Sequence, residues 1–384
     1  MGQKDLYEDL CKYWEFMLGP LPRRAAFKQA LEGLVTPEDL ALFFQVSFSG
    51  HTTLKKLEKK AKMPAKELTE RLDRLVTDAF LLPFESPDGR AYERLDVIFF
   101  AEHQIRKPGD TSRHIFYAEF FDELTEALGT ATLPFKTAGF RVLPVEETVT
   151  GESQTRTIAL DAEIPDRRQA IPFDVVSEIV KREEAWIAVS DCYCRKAKTL
   201  LGKGCEHPLD VCFVFNEFAE GLVERGVGRK VGYDEAMQIL RECEEAGLVH
   251  HIDNCVEDAR TLCNCCSCAC SPLRISELRQ ERGLPSFIAP SRYVVKHDTA
   301  KCTHQEDCIS RCPTHARSIR NGRVVMEPAL CEGCGLCVTA CTQGANQMIL
   351  RKQPPKVPQT FGKLYGKMSR EALLGMAKNK ILRR

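Results

Sequence analysis

A chain of 384 residues with 43% hydrophobic side chains can bury the cores of two or three domains, and its 54 basic and 54 acidic residues leave no overall field to draw it to nucleic acid. Nineteen cysteines, an odd number bunched at metal-ligand spacing, argue against a secreted disulfide scaffold and for a reducing, cytoplasmic setting. No segment reaches the roughly 18 apolar residues of a membrane span, and the first residues lack an apolar signal core.

The first 130 or so residues read as helical and hold one cysteine, Cys11, placed with Leu10 and Trp14 as a buried small hydrophobe. Thr36-Pro37-Glu38-Asp39 predicts a helix start with a capping residue, proline in the first turn and an acid three residues after the cap. Thr52 is expected to cap a short basic helix. A third helix begins near Pro64, with Leu68, Leu72, Leu75, Val76 and Ala79 on one face. Strand-like runs at 80–85 and 91–97 flank the turn Ser86-Pro87-Asp88-Gly89. Three helices followed by a hairpin resemble a winged helix over about 36–100. Lys66, Arg71 and Arg74 on the third helix alternate with Glu67, Glu70 and Asp73, so a protein-contact or scaffold role is favoured over DNA binding. The aromatic cluster Phe116, Tyr117, Phe120 and Phe121 is assigned to a helix and its core, and 146–172 to a connecting arm.

A helix over 173–182 and a strand over 186–190 lead to Cys192 and Cys194, followed by Cys205 and Cys212. A helix from Tyr233, closed by Gly247, separates these from Cys263, Cys265, Cys266, Cys268 and Cys270. The nine thiols are read as metal ligands, with iron-sulfur ligation ahead of structural zinc and redox-active thiols. Neighbouring Cys265 and Cys266 cannot readily hold one metal, so the tract should serve more than one centre or include cysteines that do not ligate. Arg195, Lys196, Lys198 and Lys203 are read as covering surface or stabilising thiolates. Cys243 is placed in a helix core and Cys255 is unassigned; His250 and His251 follow a helix end and could ligate, but are read as structural or solvent-facing.

Seven more cysteines follow the rhythm Cys302-x5-Cys308-x3-Cys312-Pro313, then Cys331-x2-Cys334-x2-Cys337-x3-Cys341. This resembles a bacterial two-cluster ferredoxin, in which three close thiolates and a distant fourth hold each cluster. Cys312, Cys331, Cys334 and Cys337 form a complete 4Fe-4S set. Cys302, Cys308 and Cys341 form the other, with Gln305 where a further cysteine would stand. That site therefore holds a 3Fe-4S cluster, or a 4Fe-4S cluster completed by Gln305, Asp307 or His304, or no cluster at all.

The middle motifs Asp191-Cys192-Tyr193-Cys194-Arg195, Gly204-Cys205-Glu206-His207-Pro208 and Leu262-Cys263-Asn264-Cys265-Cys266-Ser267-Cys268 resemble a group of iron-sulfur proteins from anaerobes that end in a ferredoxin domain. The resemblance covers about 36–350 and implies electron transfer. The expected fold is α+β and multidomain: a helical region with its winged-helix-like segment at 1–145, an arm at 146–172, a Cys-rich α/β domain at 173–290, the ferredoxin domain at 291–350 and a basic tail at 351–384. The tail carries ten Lys or Arg and one acid, Glu371. Its stripe of Leu373, Leu374, Ala377 and Ile381 marks either a docking helix for an acidic redox partner or a solvated helix. With no dinucleotide or Walker fingerprint, the expected function is electron relay to or from a partner oxidoreductase rather than catalysis by this chain alone. The alternatives are a redox-sensing winged-helix regulator and an enzyme acting at a middle cluster.

Overall fold

The computed structural model describes residues 5–48, 50–109, 111–130, 136–150 and 172–382, in two compact units that share the chain in alternating segments. The first comprises residues 1–132, 188–205 and 214–230; the second comprises 133–187, 206–213 and 231–384. Most of the arm expected at 146–172 lies outside the described residues.

In the first unit, Pro37–Phe43, Leu54–Ala61 and Ala65–Thr77 are the three expected helices, and Leu81–Ser86 pairs antiparallel with Gly89–Arg94 as the expected hairpin. A two-residue strand, Thr52–Thr53, joins it in the order Thr52–Thr53, Gly89–Arg94, Leu81–Ser86. That pairing moves the next helix cap from Thr52 to Thr53, and the Thr52 hydroxyl instead accepts the Ser47 amide at 2.8 Å. Thr36 does cap its helix, accepting from the Asp39 amide at 3.2 Å. The Asp39 carboxylate also accepts from Arg71 and Arg74, both at 2.9 Å.

Leu68, Leu72, Leu75 and Val76 are buried as their spacing requires; Ala79 is buried too, but past the helix end, at φ +58°. The helix Thr111–Thr130 delivers Tyr117 and Phe120 to a core with Trp14, Phe27 and Phe100, in which Phe27 stacks on Phe120 at 4.4 Å between centroids. Each such ring contributes roughly 1.5–3 kcal/mol of burial.

In the second unit, Phe140–Leu143 lies between Ile288–Ala289, to which it runs parallel, and Val249–Asp253, to which it runs antiparallel; Thr261–Cys265 then pairs antiparallel with Val249–Asp253. The helix Tyr233–Glu245 enters this arrangement through Gly247 at φ +78°, a left-handed cap that leaves Leu248 to donate to the Cys243 carbonyl at 2.9 Å. Cys243 and Cys255 are fully buried, and burial pushes the Cys255 thiol up to about 12.

The last part of this unit repeats strand, one-turn helix, strand: Tyr293–His297, Asp307–Ser310 and Arg317–Arg320, then Arg323–Met326, Leu336–Thr339 and Asn346–Leu350. Pairing ties the halves together, since Tyr293–His297 pairs with Asn346–Leu350 and Arg317–Arg320 with Arg323–Met326. Asn321 and Gly322, at φ +53° and +71°, make the tight turn of the second pair. The terminal helix Phe361–Leu382 is held by its single acid. Glu371 accepts the amides of Lys136 and Thr137 at 2.7 and 2.9 Å, and burial of Leu364 completes the seat.

Candidate iron-sulfur and metal centres

Cys312, Cys331, Cys334 and Cys337 line one cavity, although 18 residues separate Cys312 from Cys331. The Cys331–Cys337 loop fits because of its glycines. Gly333 sits at φ +71° with the Tyr293 carbonyl oxygen 2.1 Å from where a Cβ would be, and Gly335 is at φ +84°. No other residue could take Gly333's place without moving backbone. The Ser291 amide donates to the Glu332 carbonyl and the Ser291 hydroxyl to that of Gly333, fixing the loop at 2.8 and 2.6 Å. Burial raises the thiols of Cys334 and Cys337, the latter to about 11, so these side chains become thiolates only where cationic metal compensates. Their donor set fits an iron-sulfur cluster.

A second cavity is lined by Cys302, Cys308 and Cys341 together with Gln305, His304 and Asp307. The three residues expected as substitutes for the absent cysteine therefore all face it. Gln305 is exposed and its Oε1 accepts from the Thr342 hydroxyl at 3.4 Å. His304, at φ +61°, has its Nδ1 3.5 Å from Cys302 Sγ, and the Val324 amide donates to that same nitrogen at 3.2 Å.

Arg317 connects the two cavities, and nothing in the cysteine spacing announced it. It is 3% exposed, lines the first cavity, and points Nη1 at Cys308 of the second from 3.9 Å. Its Nη2 donates to Asn346 Oδ1 at 2.8 Å, while Asn346 Nδ2 donates to the Cys337 carbonyl at 2.9 Å. Burial opposes its charge, but Cys337, Cys308 and Cys312 outweigh burial and hold the guanidinium protonated. Among the described residues no carboxylate forms a salt bridge with Arg317. A buried cation of this kind needs anions, and the thiolates are what the site offers.

The nine middle thiols are sorted by the strand Thr261–Cys265. Cys265, Cys270 and His251 lie with their ligand atoms within 4.8 Å of one another, as do His207, Cys266 and Cys268. Cys205 stands two residues before His207, and His207 Nδ1 is 3.9 Å from Cys268 Sγ. Adjacent Cys265 and Cys266 thus fall into different groups. Neither group includes Cys192, Cys194 or Cys212. Cys194 is packed in the aromatic core of the first unit with Cys192 against it, and Cys212 is buried in Asp210–Phe215. Of the nearby basic residues, Lys196 pairs with Asp191 at 2.9 Å, Lys198 pairs with Asp122, and Arg195 is buried.

Two histidines enter these groups that spacing did not single out as ligands. Strand register separates His251 from His250, both fully buried: Asn264 and Glu244 satisfy His250 at 2.5 and 3.1 Å, whereas His251 faces the thiols. A histidine two residues after Cys205 was the one local signal for His207.

Two cavities with seven thiols around a repeated strand-helix-strand unit define a ferredoxin-type iron-sulfur domain. Residues 294–342 match the family model described as a 4Fe-4S dicluster domain, so the chain carries such a domain in its C-terminal part. The chain is also similar to Hydrogenase-4 component A of Escherichia coli (strain K12), 33% identical over 91 residues, which is 22% of this chain and 41% of that protein. No solved structure matches. Among the described residues no helix is long and apolar enough to cross a membrane.

Proposed function

We propose that this chain is an electron-transfer iron-sulfur protein that passes single electrons through the two clusters of its dicluster domain to or from a partner oxidoreductase. The observation that carries the reading is the pair of thiol-lined cavities inside the matched segment, sharing one buried arginine. In this reading Cys312, Cys331, Cys334 and Cys337 hold a 4Fe-4S cluster. Cys302, Cys308 and Cys341 hold a second cluster, which is open or differently ligated at Gln305. The clusters supply reversible one-electron chemistry; the chain supplies burial, a fixed cation and hydrogen bonds that set the potentials. The likeness to a hydrogenase component extends the proposal to a partner of the hydrogenase kind, contacted by Lys363, Lys367 and Arg370 of the terminal helix.

The winged-helix-like segment fits a scaffold or protein-contact role in this scheme. Arg71 and Arg74 both pair with Asp39, Arg71 also with Glu67 at 2.9 Å, and Lys66 lies 4.0 Å from Glu70, so each of the three cations expected to meet phosphate has an acidic partner. A redox-sensing regulator would need those arginines released.

The test is anaerobic purification with iron and sulfide quantified, then electron paramagnetic resonance during a redox titration. About seven or eight irons per chain and two reducible clusters are expected. Iron near four, or clusters that do not change oxidation state between the potentials of biological reductants and mild oxidants, would overturn the relay.

A further inference from the structure

We infer that His251, Cys265 and Cys270, with Cys263 as fourth ligand, form a mononuclear tetrahedral zinc site in the second unit, separate from the ferredoxin clusters. The fold assembles the set from one face of paired strands. His251 is the direct cross-strand partner of Cys263, and Cys265 lies two residues further along the same strand, so the three side chains share a face. Cys270 follows the next turn, held by the hydrogen bond its backbone amide donates to the Cys266 carbonyl, and stands at the N-cap of the helix Ser271–Glu281.

His251 is 0% exposed and neither ring nitrogen has a hydrogen bond of normal geometry; the groups that interact with it are the Cys270 thiol and the Glu332 carboxylate, the latter 3.9 Å from its Nε2. A fully buried imidazole in that state is among the costlier arrangements in a folded chain, and one that faces two buried thiols has the surroundings of a metal ligand. Cys265 and Cys270 pack among Val142, Val145, Val249 and Ile288, so no solvent relieves these groups.

The spacing selects the kind of centre. Metal bonds of about 2.3 Å to sulfur and 2.0 Å to nitrogen put tetrahedral ligand atoms about 3.5–3.8 Å apart. A cubane gives each thiolate its own iron corner and spreads the sulfurs more widely. The ligand atoms of His251, Cys265 and Cys270, all within 4.8 Å of one another, suit a single ion; Cys263 lies outside that tight group and joins it as the cross-strand partner of His251. The ferredoxin thiols serve as an internal comparison: among the described residues they form no group this tight. Three thiolates and one imidazole close the coordination sphere, the pattern of a structural zinc site. Cys334, a ferredoxin-domain thiol, packs against the same apolar cluster, so the ion would pin the strands to the Cys331–Cys337 loop.

The experiment measures zinc, iron and sulfide together in the full chain purified anaerobically, with zinc-edge X-ray absorption on the wild type. His251→Ala and Cys270→Ser are each expected to lose one equivalent of zinc while retaining the iron content and both ferredoxin resonances. The wild-type zinc spectrum should show a sulfur-dominated shell with imidazole scattering. Zinc-free wild-type protein, variants that retain all zinc, or variants that lose iron and sulfide instead would overturn the assignment. Should either variant fail to fold, the wild-type zinc content and spectrum decide. Loss of the electron-transfer reading would appear in the iron titration and leave the zinc measurements untouched.

Discussion

Replacing Arg317 by glutamine removes a buried positive charge that faces both cluster cavities while keeping a donor for Asn346. Arg317 Nη1 is 3.9 Å from Cys308 Sγ, and at that separation a unit charge pair in an effective dielectric of about 20 is worth about 4 kcal/mol. That figure is a ceiling, because an electron added to a cluster spreads beyond one thiolate. Halving it leaves about 2 kcal/mol, on the order of 80 mV for a one-electron couple. Reduction makes each cluster more negative, so losing the cation should lower both midpoint potentials by that order. Arg317→Lys should recover most of the shift, the charge being kept and the fork lost. Redox titration followed by electron paramagnetic resonance reads both couples in one experiment. Potentials that move by less than about 20 mV, or that rise, would refute the claim that this cation sets the potentials.

Three further outcomes are expected. Gln305→Cys should give the second cluster a fourth thiolate, lowering its potential and abolishing any spectral response to added thiol or cyanide; wild-type spectra indifferent to both ligands would contradict an open corner. His103 is buried beside Arg225, Lys107 and Arg106, and burial first, then those cations, lower its pKa to about 3. Its folded value lies below its unfolded value of about 6.5, so the stability it contributes is complete above that pH and is lost as pH falls. Between pH 7.5 and 5.5 the first unit should lose about 1.4 kcal/mol, a slope that His103→Gln removes. Urea unfolding followed by tryptophan fluorescence checks this, and an unchanged slope in the variant would count against it. Asp39→Asn leaves two arginines facing a neutral amide at a position 2% exposed, and should cost about 2–3 kcal/mol in the same assay. A loss under about 0.5 kcal/mol would show the pairs to be incidental.

Legibility in the sequence followed range. Helix 65–77 and the hairpin at 81–94 were readable because side-chain period and turn chemistry act over a few residues. The helix start at Thr53 was misplaced by one residue because a two-residue strand, paired to Tyr92 and Ala91 some 40 positions away, competes for Thr52. Asp39 has the spacing of a capping acid, and only the approach of helix Ala65–Thr77 turns it to arginines.

By itself the sequence determined that a dicluster domain would form and which seven thiols would line it, because cluster ligation writes its geometry into short, fixed spacings along the chain. It also marked Gln305 as the place where the two sets differ. Tertiary structure alone decided that Arg317 would serve both cavities and that His251 rather than His250 would face thiols. Those assignments depend on strand pairing and burial between residues far apart in sequence, where spacing carries no signal.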